Sequence, residues 1–231
     1  MKLSTIAKTS LALGILTTGV MTTYAQSVDA AVSSIQNQYS PETLLEYYNR
    51  TGHDLRNFKG YRDGDKVNVT SDRAPLTEVK VSGSDKSRYL DENLKDIDVF
   101  VVRENNTSRE STTQSIGGIT KPNSQRYIDH VAKVPFNIER TNNNSKSIIQ
   151  SDYKIYKEEI SLKELDFKLR KELIKNQDLY KNGKNNGTIV VKMQGNNEND
   201  KYTFELDKKL QDHRMGDVID SRKIEKITVS L

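Results

Sequence analysis

The sequence predicts an α+β protein in which a small, strand-rich barrel precedes a sheet crossed by one long helix. Residues 51–120 hold short apolar–polar alternations separated by turn residues, which is typical of short strands. A long segment with helical spacing begins at Ser161, and strand-like alternation returns in residues 188–231. The 231 residues are enough for two small domains.

The composition excludes several classes of function. The 36 Lys and Arg residues nearly balance 32 Asp and Glu residues, so we expect no nucleic-acid partner. The chain has no cysteine and only three histidines, which leaves little material for a metal site and none for a thiol nucleophile. No G-x-S-x-G, P-loop or HExxH motif is present. We therefore expect no enzyme, no cofactor and no metal.

The N-terminus has the layout of a secretory signal peptide over residues 1–30. Lys2 and Lys8 are followed by a short apolar run at residues 11–20, and Val28-Asp29-Ala30 ends the segment like a cleavage site. The run is shorter than the roughly 20 residues that span a bilayer. The expected product is secreted, does not insert into membranes and acts outside the cell.

The first predicted domain covers residues 31–125. Ser40-Pro41-Glu42 is typical of a helix start, with an N-cap serine and proline at the first position. Strands are predicted from three apolar patterns, with turns at Gly60, Asp63-Gly64 and Ser82-Gly83. These patterns are the pairs Val67/Val69 and Val79/Val81 and the run 97–102. Five or so short strands in about 70 residues fit an OB-type barrel.

The second predicted domain covers residues 126–231, after the polar break at residues 121–124. Ser161 and Glu164 predict a capping box at the start of the long helix. Charged residues from Lys163 to Lys175 predict a solvated outer face. One apolar stripe predicts the buried face: Leu162, Leu165, Leu169, Leu173 and Ile174. A hairpin over residues 188–207 and a last strand over residues 223–231 complete a mixed sheet.

Residues 201–217 form the strongest candidate binding segment. The alternation after Lys201 predicts a strand that buries Phe204 and presents Thr203 and Glu205 on its other face. Cations follow at Lys208, Lys209, His213 and Arg214. A hydroxyl, a carboxylate and several cations are what a sugar acid requires, although an ordinary polar hairpin edge has the same pattern.

Two segments resemble the staphylococcal and streptococcal superantigen toxins. The run KEEISLKELDFKLRKELIKNQDLY at residues 157–180 is similar to the signature of that family at many positions. SIGGIT at residues 115–120 resembles a second family motif, although Ile116 replaces the expected tyrosine. The resemblance implies an N-terminal OB-fold β-barrel and a C-terminal β-grasp domain.

Within that superfamily the chain is most similar to the staphylococcal superantigen-like proteins. The stretch from Thr203 to Val218 resembles the motif of the subgroup that binds sialylated glycans such as sialyl Lewis X. That resemblance implies sialic-acid contacts from four residues, with Arg214 or Lys208 facing the carboxylate: Thr203, Glu205, Lys208 and Arg214. The chain also lacks the cysteine-closed loop of the enterotoxins, which argues against superantigen activity on T cells.

The resemblance implies a secreted immune-evasion protein that binds sialylated glycoproteins on host leukocytes and blocks their receptor or adhesion functions. The alternative left open is a binder of a host immune protein, such as an immunoglobulin, a complement component or a Toll-like receptor, without use of glycan. A homodimer is also left open.

Overall fold

The computed structural model describes residues 39–71, 74–104, 112–142, 145–195, 197 and 200–231. The predicted signal peptide lies outside these residues. The helices are α1 (Pro41–Asn49), α2 (Asp85–Arg88) and α3 (Leu162–Gln177). The strands are β1 (Gly52–Asp63), β2 (Lys66–Ser71), β3 (Ala74–Lys80), β4 (Asn93–Val102), β5 (Thr113–Ile116), β6 (Ile119–Thr120), β7 (Ala132–Asn142), β8 (Ser145–Ile155), β9 (Glu159–Ser161), β10 (Thr188–Met193), β11 (Lys201–Glu205), β12 (Val218–Asp220) and β13 (Ile224–Ser230). No helix in the described ranges is long and apolar enough to cross a membrane.

The N-terminal half is built on a six-stranded sheet in the order β5-β3-β2-β1-β4-β6. The predicted patterns at Val67/Val69, Val79/Val81 and residues 97–102 are buried strands. The turn predicted at Gly60 is wrong, because Gly60 lies inside the long strand β1. A Cβ there would lie 3.1 Å from Val67 Cγ1, so this glycine allows close packing between neighbouring strands.

The C-terminal half is a five-stranded sheet in the order β11-β10-β13-β7-β8, packed against α3. The β13–β7 pair is parallel and the other pairs are antiparallel, which gives the predicted mixed sheet. All five residues of the predicted apolar stripe of α3 are buried, and they join sheet residues such as Phe136 and Ile227 in one core.

The charged residues of α3 do not form the predicted solvated face throughout. Lys163, Glu164, Asp166 and Arg170 are each at most 2% exposed, because the helix is covered by the sheet and by groups of the N-terminal half. Exposed charges remain at Lys171, Glu172 and Lys175.

The predicted capping box is half correct. Ser161 Oγ accepts a hydrogen bond from the Glu164 amide at 3.1 Å. The Glu164 carboxylate instead binds Lys157 Nζ at 2.8 Å and Lys168 Nζ at 2.6 Å. Two ammonium groups make stronger charge-assisted bonds than a single amide can.

The two halves meet tightly where residues 115–118 and 82–84 contact residues 212–217. The Gly118 amide donates to Met215 O at 3.1 Å, and Ser84 Oγ donates to Gly216 O at 2.9 Å. Ser84 N also donates to Asp217 Oδ1 at 3.0 Å. A Cβ on Gly216 would overlap the carbonyl oxygen of Ser82, so only glycine fits at this contact. The glycine motif singled out in the sequence therefore joins the two halves.

Two ionisable groups are fully enclosed near this contact. Burial raises the pKa of Asp85 to about 8, against the opposing effect of Arg88. Burial lowers the pKa of Lys163 to about 8, while its ammonium donates to Ser115 Oγ and Ile116 O, each at 2.7 Å. Because the folded state holds Asp85 in its protonated form near neutrality, stability depends on pH here.

Asp85→Asn should flatten the pH dependence of stability between about pH 5 and about pH 8. In that window the folded carboxyl keeps a proton that the unfolded chain has released, so raising the pH favours unfolding. One such proton changes the unfolding free energy by up to about 1.4 kcal/mol per pH unit. Urea unfolding of both proteins across this range measures the slopes. Asp91→Asn, at an exposed carboxylate, is the control. Equal slopes for all three proteins would contradict this assignment.

Candidate functional site

The candidate site lies on β11, the short strand at one edge of the C-terminal sheet. Phe204 is buried against the core, while Thr203 is half-buried and Glu205 is exposed on the other face. Thr203 pairs with Val190 and Glu205 with Thr188 of β10, which fixes their register. The alternation predicted from the sequence is confirmed.

The two predicted cations return to this strand from the segment that follows it. Lys208 Nζ lies 2.5 Å from Glu205 Oε2. Arg214 Nη1 donates to the Thr203 carbonyl oxygen at 3.1 Å and to Gln211 Oε1 at 3.2 Å. The structure therefore brings all four predicted site residues together, although their role as sugar contacts stays a prediction.

Arg214 is held in a semi-enclosed position. Its guanidinium carbon lies 5.6 Å from the centre of the Phe204 ring, within the range of a cation–π contact. Burial lowers the pKa of Arg214, although nearby Asp166 and Asp217 oppose this effect. Its Nη2 is covered and has no acceptor among the described residues. An unsatisfied buried donor costs about 1–3 kcal/mol, which a ligand acceptor could recover.

The loop that carries Arg214 is positioned by residues without an assigned role in the sequence prediction. Gln211 orients the guanidinium, and Met215, 1% exposed, inserts its side chain into the core. Gly216 and Asp217 fix the same loop to Ser84 of the N-terminal half. Gln211, Met215, Gly216 and Asp217 all belong to the motif at residues 203–218, but only the fold separates supporting residues from candidate contacts.

A buried network fixes the end of β11 from below. Arg170 Nη2 donates to Glu205 O at 3.0 Å and Nη1 donates to Leu206 O at 3.2 Å. Arg170 Nε is paired with Asp166 Oδ1 at 2.7 Å. Tyr180 adds a hydrogen bond to Leu206 O at 2.9 Å. The backbone that presents Glu205 is therefore attached directly to the central helix.

The network continues into α1. Tyr48 OH donates to Asp166 Oδ2 at 2.7 Å and accepts from the Leu210 amide at 3.3 Å. The Arg170 guanidinium carbon lies 4.6 Å from the centre of the Tyr48 ring. The first helix thus helps to hold both Arg170 and the segment that follows β11.

Lys209 does not belong to the site, although the sequence places it among the candidate cations. Its Nζ lies 2.9 Å from Glu104 Oε2 and 4.1 Å from the centre of the Tyr47 ring. Glu104 also accepts a hydrogen bond from Tyr47 OH at 2.8 Å. Lys209 therefore ties the segment after β11 to the N-terminal half.

A groove of about 880 Å³ lies elsewhere, between α3 and the residues around Tyr153. Its lining includes two lysines and two carboxylates, and Lys157 and Lys168 each form ion pairs with both Asp54 and Glu164. None of the four predicted site residues lines it. Within the described residues, no cluster of three or more metal-ligating side chains is found.

The architecture is that of a two-domain protein in which an OB-fold domain is followed by a β-grasp domain that carries β11. A model of the staphylococcal superantigen-like OB-fold domain matches residues 42–123. A model of the staphylococcal/streptococcal toxin β-grasp domain matches residues 134–231. The expected fold is confirmed, while the boundaries at residues 30 and 125 stay predictions.

Similarity over the whole sequence identifies the family. Superantigen-like protein 11 of Staphylococcus aureus strain Newman is 49% identical over 235 residues and covers 100% of both chains. The chain belongs to the staphylococcal superantigen-like family.

Solved structures of the family support the same placement. The crystal structure of staphylococcal superantigen-like protein SSL5 complexed with sialyl Lewis X has a TM-score of 0.75 and 38% identity, and covers 83% of this chain and 99% of that chain. A superantigen-like protein from Staphylococcus aureus in complex with 3-N-acetylneuraminyl-N-acetyllactosamine has a TM-score of 0.74 and 39% identity, and covers 84% of this chain and 98% of that chain.

Arg170→Met should lower the free energy of unfolding by about 3–5 kcal/mol, because it leaves the buried Asp166 carboxylate without its guanidinium. Urea unfolding followed by circular dichroism gives the change. Lys171→Met is the matched control, because it removes the neighbouring cation from the exposed face of the same helix. The double variant Asp166→Asn/Arg170→Met should recover part of the loss. A loss no larger for Arg170→Met than for Lys171→Met would show that the network does not stabilise the fold.

Proposed function

We propose that this protein is a secreted, non-enzymatic immune-evasion factor that binds sialylated glycans of the sialyl Lewis X type on host leukocyte glycoproteins. Binding would block the receptor or adhesion functions of those glycoproteins, without superantigen activity on T cells. The signal peptide predicted over residues 1–30 supports export.

One observation carries the proposal: the fold brings Thr203, Glu205, Lys208 and Arg214 to a single sheet edge. Lys208 contacts Glu205 directly, and Arg214 is hydrogen-bonded to the Thr203 backbone. These residues are supported from beneath by Arg170 and from the side by Gly216. Such support is what a binding site needs to keep its donors and acceptors in place.

The chemistry of the site fits a sialic acid. A carboxylate can be bound by the guanidinium of Arg214 or the ammonium of Lys208, through charge-assisted hydrogen bonds. The Thr203 hydroxyl and the Glu205 carboxylate offer partners for sugar hydroxyls and the acetamido nitrogen. Lys208 binds Glu205 in the free protein, so the ligand would have to share or replace this exposed contact. Exposed ion pairs are worth about 0–1 kcal/mol, so the cost of that rearrangement is small.

Two structural relatives support sialylated glycans as the ligand class. Two structural relatives of 38% and 39% identity were crystallised with sialylated oligosaccharides. Sugar contacts of this kind are weak one at a time, so many copies of the glycan on a cell surface would raise the apparent affinity.

Arg214→Ala should weaken binding of soluble sialyl Lewis X at least tenfold, because it removes the most enclosed cation of the site. Isothermal titration calorimetry with wild type and variant measures the change. Arg222→Ala is the matched control, since it removes an exposed arginine that is paired with Asp220 away from β11. Lewis X without sialic acid is the control ligand and should show no measurable binding.

Cell binding separates the two candidate functions. Sialidase treatment of neutrophils should abolish binding of the wild-type protein, and free sialyl Lewis X should compete with it. Binding that persists after sialidase treatment, together with full binding by Arg214→Ala, would favour a glycan-independent partner instead. Unchanged unfolding curves for Arg214→Ala would show that a loss of binding does not come from a loss of structure.

A further inference from the structure

Strand β8 forms the edge of the C-terminal sheet opposite to β11. It pairs with β7 along its whole length, from Ser145 opposite Asn142 to Ile155 opposite Ala132. On its other side it has no neighbouring strand in the part of the chain that the structure describes. Such an edge presents a row of backbone N–H and C=O groups that can pair with another strand.

The middle of β8 lacks the features that usually keep an edge strand unpaired. Residues 147–151 have the sequence Ser-Ile-Ile-Gln-Ser, with no charge and no proline. Ile148 and Ile149 are 50% and 47% exposed, and they point to opposite faces of the sheet. The other edge, β11, has only five residues and begins and ends with a charged side chain. Long, uncharged edges are the ones that associate.

Charges of opposite sign, Lys146 and Asp152, flank this uncharged stretch, so the strand can match its charges with those of a second copy of itself. If two copies of β8 pair in antiparallel fashion with Ile149 opposite Ile149, Lys146 of each copy faces Asp152 of the other. Moving the register by one residue places Lys146 opposite Ser151 or Tyr153. Placing Gln150 opposite Gln150 instead sets Lys146 against Lys154. One register alone therefore matches both charges and stacks the isoleucines.

Further charged side chains of β7 lie beside Lys146 and Asp152 on the outer face of the sheet. Within one copy, Lys146 Nζ lies 2.8 Å from Glu139 Oε2, and Lys133 Nζ lies 2.7 Å from Asp152 Oδ2. Pairing in the Ile149 register would therefore align Glu139, Lys146, and then Asp152 and Lys133 of the second copy. The signs alternate along this row, and the row occurs twice in a symmetric dimer.

We propose that a second copy of this chain pairs with β8 around Ile149, so that the two five-stranded sheets join into one ten-stranded sheet. The paired stretch runs from Lys146 to Asp152, which is much shorter than the roughly 20–30 residues a side of a standard interface. The dimer is therefore weak and depends on protein concentration.

Pairing at β8 leaves both copies of β11 free at the outer edges of the joined sheet. Nine strand spacings separate them, so the two β11 strands are about 43 Å apart. If the proposed function is correct, the dimer carries two glycan sites and binds a crowded surface with higher avidity than the monomer. This consequence rests on the proposed function, whereas the pairing itself does not.

Single cysteines test the register directly, because the natural chain contains none. Ile149→Cys should form a disulfide-linked dimer on mild oxidation, since the two residues face each other across the pair. Ile148→Cys is the matched control: it is equally exposed, but faces Gln150 of the second copy and lies about 7–8 Å from its own counterpart. Non-reducing electrophoresis measures the dimer fraction, which should be at least tenfold higher for Ile149→Cys. Equal cross-linking of the two variants would overturn the proposed register.

Charge reversal tests the pairing without covalent chemistry. Lys146→Asp and Asp152→Lys should each be monomeric by sedimentation velocity at roughly 100 µM, a concentration at which the wild type should form dimers. An equimolar mixture of the two variants should dimerise again, because every facing pair is then of opposite sign. Lys226→Asp, an exposed charge reversal on a central strand, should dimerise like the wild type.

If the wild type sediments as a monomer at this concentration, the proposed dimer is wrong. If the equimolar mixture of Lys146→Asp and Asp152→Lys stays monomeric, the proposed register is wrong. Neither measurement uses glycan, and calorimetry with soluble sialyl Lewis X does not require a dimer. A failure of the dimer and a failure of the proposed function are therefore distinguishable.

Discussion

The buried pair of Arg170 and Asp166 is the interaction on which the rest of the structure depends. The two groups are 2.7 Å apart and each is 1% exposed, so neither can be satisfied by water. Their remaining bonds go to Tyr48 in α1, to Tyr180 after α3 and to the carbonyl oxygens of Glu205 and Leu206. A buried ion pair contributes little net stability compared with apolar residues of the same size, but it fixes the relative position of the groups it joins. Here those groups are two helices and the end of the strand that presents the candidate site.

The site is consequently a product of both halves of the molecule. The strand end is held by the central helix, while the loop bearing Arg214 is held by Ser84 and the glycines at residues 117, 118 and 216. This division explains why two distant sequence motifs accompany the candidate contact residues. The motif at residues 157–180 supplies the buried network, and the motif at residues 115–120 supplies the surface on which the Arg214 loop rests. Residues in both motifs contact the backbone that carries the candidate residues, at the carbonyl oxygens of Glu205, Leu206 and Met215.

Much of the fold could be predicted from the sequence, because the patterns that predict it are local. Period-two alternation located the hairpin of β10 and β11, and Ser161 located the start of α3. The errors have tertiary causes. Helical spacing predicts which residues share a face of α3. It does not reveal that the N-terminal half covers the charged face at Lys163 and Asp166, which bind Ser115 and Tyr48. In the same way, the sequence places Lys209 beside Lys208, and only the fold turns it toward Glu104. The four candidate contacts were predicted through resemblance, whereas Gln211 and Gly216 acquired their roles only from the structure.

The most direct test of the central claim is a crystal structure of this protein with sialyl Lewis X. The account predicts that the sialic-acid carboxylate lies within about 3 Å of Arg214 or Lys208, with Thr203 and Glu205 in contact with the same sugar. Sugar bound in the groove beside Asp54 and Lys168, or sialic acid bound at any site that leaves all four residues untouched, would contradict it.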